Sequence, residues 1–167
     1  TIVCTQVADR VRGFSGFSVC PASNRGLLFI PWSFVHTLYL YAICPMPPSR
    51  PPFRTDTVHI RDTPHTLHVA HYGTLTGVPA IFLHGGPGSC IDDGCADAFD
   101  HRNWHVVAFD QRGCGRSTPR DALEENTPQA AVEDVERLRR RYFNKQQVVL
   151  VGGSYGSLLA LLYATKY

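Results

Sequence analysis

From residue 57 onward, apolar positions come in short bursts closed by glycine, proline or charge, and the spacing within a burst changes along the chain. Residues 57–61 (Thr-Val-His-Ile-Arg) and 66–71 (Thr-Leu-His-Val-Ala-His) alternate apolar with polar, the period of a half-buried strand, and predict an antiparallel pair. Three later bursts, 79–83, 104–109 and 147–151, are nearly continuous, as strands covered on both faces of a parallel sheet are. A helix is predicted before the last of them. Thr127 supplies its cap, Pro128 lies in its first turn, and Ala131, Val135, Leu138 and Tyr142 recur at helical spacing. Glu133, Asp134, Glu136, Arg139 and Arg140 are expected to face away. Beyond 151, Leu158, Leu159, Leu161 and Leu162 predict a second helix buried nearly all round. With an irregular or helical piece over 90–99, this makes an α/β domain of about five strands and two substantial helices.

The junctions between strands and helices carry the chemistry. Gly152-Gly153-Ser154-Tyr155-Gly156 is a G-x-S-x-G pattern between a strand and a helix, the setting of a nucleophile elbow, where a sharp turn lifts the serine hydroxyl above a helix N-terminus. A chain of this size shows such a pattern by chance about one time in twenty, so the flanking strand and helix are what give it weight. The competing reading is a Gly-rich turn of another α/β fold that binds phosphate. After the 79–83 strand comes His84-Gly85-Gly86-Pro87-Gly88, which suits an oxyanion loop: backbone N–H groups brought close by glycine stabilise the charge that acyl transfer builds on a carbonyl oxygen. Its bland alternative is an ordinary turn. The expected oxyanion donors are the N–H of Tyr155 and that of Gly86 or Gly85, with Gly85 also a candidate substrate contact. His84 belongs to the loop and is not read as catalytic. After the 104–109 strand stands Asp110-Gln111-Arg112-Gly113-Cys114-Gly115-Arg116-Ser117.

In this order, H-G-G-P-G, D-Q-R-G-x-G-x-S and G-G-S-x-G-S together resemble the proline iminopeptidase (prolyl aminopeptidase) branch of the α/β-hydrolases, over residues 57–167 and only the front half of a family member. The resemblance implies a truncated α/β-hydrolase fold that ends just after the elbow, without the cap domain and later strands. It implies that Ser154 is the nucleophile of an aminopeptidase releasing N-terminal proline through an acyl-enzyme, with Gly86 and Tyr155 as oxyanion donors. Asp110, Gln111 and Arg112 become an architectural loop beside the site. Arg112 is a candidate partner for a carboxylate, although an arginine on a turn is more often solvated or structural. The implied substrate is a peptide with a free N-terminus, and no cofactor or metal is called for. In that family an acid and a histidine follow the nucleophile, and residues 157–167 contain neither. The chain as given is therefore expected to be inactive, because a serine hydroxyl depends on an adjacent base. The alternatives are another α/β-hydrolase, an esterase or amidase, or a non-enzymatic truncated product. The 147–151 strand would also present a bare apolar edge, which predicts an aggregation-prone fragment.

Residues 1–45 differ in character. They hold one acidic residue, Asp9, and three basic ones, Arg10, Arg12 and Arg25, and 27–44 carries no formal charge. That run reaches the length of a membrane span, but Pro31, His36 and its tyrosines argue against one, and a cytoplasmic location is the default. The sole methionine, Met46, opens a proline-rich segment. Two readings stay open: a native start at Met46 with an unselected leader before it, or a genuine extension on a stiff linker. The expected organisation is an atypical leader over 1–45, a linker over 46–56 and the hydrolase part over 57–167.

Without the leader, 13 basic and 13 acidic residues remain, a balance that gives no pull toward nucleic acid. Aromatics at 11% are those of a globular domain rather than a disordered one. With no convincing secretory signal, Cys4, Cys20, Cys44, Cys90, Cys95 and Cys114 are read as reduced thiols. His65, His68 and His71 do not make a metal set, since on a strand His68 points opposite the other two. Oligomeric state is not legible.

Overall fold

The computed structural model describes residues 2–5, 18–19, 27–29, 50–92, 94–144 and 146–167. Among these, eight strands form one mixed sheet: β1 (Ile2–Thr5), β2 (Ser18–Val19), β3 (Leu27–Phe29), β4 (Arg54–His59), β5 (Thr66–Gly73), β6 (Val78–Leu83), β7 (Trp104–Phe109) and β8 (Val149–Gly152). Their spatial order is β2-β3-β1-β8-β6-β7-β5-β4. Two helices, α1 (Pro128–Phe143) and α2 (Tyr155–Lys166), complete the fold. The five strands expected from the apolar bursts are β4 to β8. β4 begins at Arg54 rather than Thr57, inside the expected linker, because its pairing with β5 runs from Arg54 opposite His71 to His59 opposite Thr66.

β6 sits between β7 and β8 and is parallel to both, with Leu83 opposite Phe109 on one side and Gly152 on the other. That register brings the carboxyl ends of three strands side by side, so the segments after Leu83, Phe109 and Gly152 meet at one end of the sheet. Crevices of this kind are where open α/β sheets hold their ligands.

Alternation along the strands builds two cores. Leu67, Val69, Ile81, Leu83, Val107, Phe109 and Leu150 face α1 and α2. Ala70, Tyr72, Ala80, Val106, Ala108 and Val149 face the opposite side, where the turns around Ile91, Cys95, Ala96 and Phe99 cover them. Cover on both faces explains the continuous apolar runs. α1 starts as expected: the Thr127 hydroxyl accepts the Ala130 N–H at 3.2 Å, and Pro128 opens the first turn.

Three expectations give way. Asp134 and Glu136 do not face solvent; they are 1% and 4% exposed. Each is buried because cations meet it there. Asp134 receives Arg112 and Arg137, while Glu136 accepts from Arg139 at 2.7 and 2.8 Å, Arg140 at 2.6 Å and the Tyr163 hydroxyl at 2.7 Å. Arg139 chiefly holds the Glu136 carboxyl down to about 2, against the opposing effect of burial. Burial, and next the Glu136 carboxylate, push the Tyr163 phenol up. Second, α2 is not buried all round. Leu159 is fully buried, but Leu158 is 45% exposed, because the sheet and α1 cover only one side of the helix.

Third, the outer edge of β8 is not bare. β1 pairs with it antiparallel, from Ile2 opposite Gly152 to Thr5 opposite Val149, and β3 continues the sheet beyond β1. Its backbone groups therefore have ladder partners, which removes the exposed edge on which the expectation of aggregation rested. Of the apolar run 27–44, Leu27–Phe29 is strand β3 and residues 30–44 lie outside the described residues, as does Met46. Among the described residues no helix is long and apolar enough to cross a membrane.

Candidate active site

β8 turns into α2 through Gly153 and Ser154 with no intervening loop. Ser154 has φ 53° and ψ −121°, a conformation that side chains other than glycine rarely adopt, and it stands at the helix N-cap. Its hydroxyl makes no capping hydrogen bond, and the residue is exposed. A serine at an N-cap ordinarily spends its oxygen on a backbone N–H; this one leaves that bond unmade. Tyr155, half-buried, is the first residue of α2, so its N–H has no intrahelical acceptor. The turn is this tight because Gly156 lies against the end of β6: a Cβ there would sit 2.1 Å from the Leu83 carbonyl oxygen.

The 84–88 loop leaves β6 directly beside this turn. A Cβ on Gly85 would lie 3.5 Å from the Ser154 Cβ and 3.3 Å from the Gly153 carbonyl oxygen, which places the loop against the elbow. Gly86, with φ +125°, is exposed at the rim. His84 is 3% exposed and has both ring nitrogens in use. Nε2 accepts the backbone N–H of Gln111 at 3.0 Å, so the ring proton is on Nδ1, which donates to the Gly85 carbonyl at 2.8 Å. The Gln111 side chain donates to the His84 carbonyl at 2.9 Å. Burial pushes the His84 imidazolium down from its ordinary range, which keeps the ring neutral. These bonds exclude His84 as a base for Ser154.

The 110–117 loop ties the ends of the strands together. The fully buried Asp110 carboxylate accepts the N–H of Ile91 at 2.8 Å and of Arg116 at 3.0 Å, and the Arg116 Nε approaches at 3.4 Å. Gly115, with φ +52°, leaves the room this carboxylate needs, since a Cβ would lie 2.5 Å from it. The Ser117 hydroxyl donates to the Asp110 carbonyl at 2.6 Å and accepts the His68 N–H at 2.9 Å, joining the loop to β5. Arg112, 4% exposed, forms a two-pronged pair with Asp134 at 2.7 and 2.9 Å and donates to the Glu125 carbonyl at 2.7 Å. The loop is architectural, as expected, and Arg112 takes the carboxylate reading rather than the solvated one. Sequence reasoning missed Asp134, whose only signal was a polar helix position.

Among the described residues no hydrogen bond links the Ser154 hydroxyl to a histidine or a carboxylate. His71 and His105 are a buried stacked pair, 3.2 Å between ring nitrogens, packed against Tyr142 and Phe143 of α1. His65 bonds the Glu124 carbonyl and His101 the Ala96 carbonyl. Among the described residues no group of three metal-binding side chains converges, and Cys90, Cys95 and Cys114 are free thiols.

Ser154 thus stands at positive φ between a parallel strand and a helix, with the Gly-rich loop from the neighbouring strand against it. The alpha/beta hydrolase fold family matches residues 79–167. This chain belongs to the α/β-hydrolase family. Within it the chain is similar to the proline iminopeptidase of Arabidopsis thaliana, 40% identical over 116 residues covering 70% of this chain and 30% of that protein. The proline iminopeptidase of Xanthomonas citri is 40% identical over 117 residues, 70% of this chain and 37% of that protein. The chain thus spans about a third of the length of the curated relatives it matches. Among solved structures, the proline iminopeptidase-related protein from Thermus thermophilus aligns with a TM-score of 0.56 at 28% identity, covering 69% of this chain and 41% of that one. An epoxide hydrolase from Vigna radiata aligns with a TM-score of 0.53 at 25% identity, covering 66% of this chain and 34% of that one. The α/β-hydrolase family match therefore runs from β6 to α2.

Proposed function

We infer that this chain carries the nucleophile and oxyanion portion of a serine hydrolase of the proline iminopeptidase type. The observation that supports this most is Ser154 itself: a non-glycine residue held at positive φ, exposed, at a helix N-terminus and beside Gly85. Strain of this kind persists where the surrounding structure enforces it, and it clusters at functional sites. Kinship with proline iminopeptidases supports the substrate class, a peptide with a free N-terminal proline. The same fold in an epoxide hydrolase shows that fold alone does not choose it.

In the reaction so assigned, the Ser154 oxygen attacks the carbonyl carbon of the N-terminal residue. The carbonyl electron pair moves onto oxygen, where the N–H groups of Tyr155 and Gly86, with Gly85 lining the approach, stabilise it. The C–N bond then breaks, the leaving amine takes up the proton that Ser154 gave, and water hydrolyses the acyl-enzyme. Each proton transfer needs a base. His84 is committed to Gln111 and Gly85, and the other histidines described above bond elsewhere. Among the described residues no hydrogen bond ties a base to the Ser154 hydroxyl, so we expect acyl transfer at Ser154 to be slow unless a base is supplied.

Exogenous imidazole tests this. With p-nitrophenyl acetate, acetylation of Ser154 followed by mass spectrometry is expected to rise with imidazole concentration and to vanish in Ser154→Ala. Acetylation that ignores imidazole, or that survives the substitution, refutes the nucleophile assignment. Rapid Ser154-dependent release of proline from an anilide, without added base, refutes the slowness.

A further inference from the structure

We propose that His84 is a positioning residue, a neutral brace that sets the Gly85–Gly86 backbone against the elbow and releases it on protonation. The inference rests on the reading of Ser154 above for its catalytic meaning, but its geometry stands apart from it.

The argument starts from which groups can donate. The Gln111 backbone N–H has no acceptor lone pair, so its 3.0 Å bond to Nε2 requires that nitrogen to be bare. Nδ1 then carries the proton and holds the Gly85 carbonyl at 2.8 Å. A carbonyl held on one side of a peptide fixes where the N–H of the same planar unit points, and that unit joins Gly85 to Gly86. The His84 brace therefore orients the N–H of Gly86, one of the two proposed oxyanion donors. The Gln111 side chain, bonded to the His84 carbonyl, fixes the preceding peptide in the same way, so one residue of the 110–117 loop grips His84 at ring and backbone. On the other side, Gly156 of α2 packs against the loop, its missing Cβ leaving the His84 carbonyl oxygen only 2.9 Å from where that atom would be.

Protonation breaks the arrangement by simple valence. A second ring proton on Nε2 would face the Gln111 N–H, donor against donor, in a site with no water-exposed alternative for a group 3% exposed. The groups around the ring leave it little help. Asp110 is the charged group that acts on it through space, and its carboxylate is already shared by Ile91 and Arg116. Arg112, next in the loop, is committed to Asp134. From α2 the neighbours are Gly156 and the uncharged Ser154–Tyr155 turn. The brace is thus intact while the ring is neutral and opens as falling pH charges it.

The test follows the ring and the two amides in one nitrogen-labelled chain. Expected are the Nδ1–H tautomer of His84 and amide signals of Gly85 and Gly86 that move with the same midpoint as the ring when pH falls. His84→Gln, which keeps a donor and an acceptor, should leave both amides near their wild-type positions. His84→Phe, which keeps only bulk, should move them at every pH. If His84→Phe does not fold, Gln111→Ala, which removes only the grip on the His84 carbonyl, should shift the same two amides partway. The imidazole-dependent acetylation of Ser154 should drop about tenfold to a hundredfold in His84→Phe, the cost of a misplaced oxyanion donor, and be restored in His84→Gln. An Nε2–H tautomer, or Gly85 and Gly86 amides that ignore the ring's titration, overturns the brace. Acetylation absent from every chain overturns the reading of Ser154 instead, and the amide signals still decide the brace.

Discussion

Removing the Asp134 carboxylate is the sharpest test of how the site is held. Asp134→Ala deletes the acceptor of two Arg112 bonds, at 2.7 and 2.9 Å, in a place where the two side chains are 4% and 1% exposed. What remains for the guanidinium is the Glu125 carbonyl at 2.7 Å, while the nearby Arg137, which also bonded Asp134, adds like charge. A buried charge stripped of its partner costs about 3–5 kcal/mol. Set against a total of about 5–15 kcal/mol for a typical domain, that is a large share. With a urea slope of about 1–2 kcal/mol per molar, the midpoint should fall by about 1.5–5 M, or the variant should be unfolded in buffer. The assay is a urea titration followed by far-ultraviolet circular dichroism, with Arg102→Ala as the control, since Arg102 pairs with Asp100 in solvent at 84% exposure. Replacing both partners by apolar residues, Arg112→Met with Asp134→Leu, should recover most of the loss, because no charge is then buried. A midpoint for Asp134→Ala no lower than that of the control, or a double variant no better than the single, refutes the reasoning.

Three further outcomes are expected. Gly156→Ala forces a Cβ to within 2.1 Å of the Leu83 carbonyl oxygen, so thermal unfolding should show a loss of about 1–3 kcal/mol; an unchanged melting temperature would mean that β6 and α2 are not in contact there. Stability should fall in two steps with acid. Burial, with His105 and Arg54 nearby, pushes His71 down from 6.5 to about 4, so the unfolded chain takes up its proton first and stability drops between those values. Glu136, held down from 4.5 to about 2 by Arg139, contributes stability that is complete above 4.5 and lost as pH falls toward 2. Each of the two groups contributes up to about 3.5 kcal/mol, beside smaller contributions from the other buried histidines and paired carboxylates; a His71→Phe variant whose upper step is undiminished, or Glu136→Gln whose lower step is undiminished, would contradict the assignment. Tyr163→Phe removes a 2.7 Å bond to the Glu136 carboxylate and should cost about 1.5–3 kcal/mol in a denaturant titration, with a loss near zero counting against a buried network.

The elements that could be read along the chain are those whose signal is local. Strands β5 to β8, the cap at Thr127 and the elbow at Ser154 depend on neighbours within a few residues, through backbone bonding, side-chain alternation and the tolerance of glycine for close approach. The errors have one cause. Asp134 and Glu136 occupy polar positions of α1, and nothing within a helical turn says that Arg112, 22 residues earlier, will bury one of them or that Tyr163 will cover the other. Leu158 is as apolar as Leu159, yet only the packing of sheet and α1 decides which of the two is covered. The pairing of Ile2–Thr5 with β8 joins residues at opposite ends of the chain, beyond the reach of any pattern in either segment.

The same division runs through the site. By itself the sequence determined that Ser154 would stand on a turn between strand and helix and that Gly85 and Gly86 would follow an earlier strand, while the reading of His84 as a loop residue came from the arrangement the motifs resemble. Only the tertiary structure decided that His84 is gripped at Nε2 by Gln111, which proton its ring keeps, and how Asp110 and Arg112 hold the loops in place. Residue type and spacing carry short-range backbone geometry, whereas the direction of a hydrogen bond and the burial of a charge depend on partners that only folding brings together.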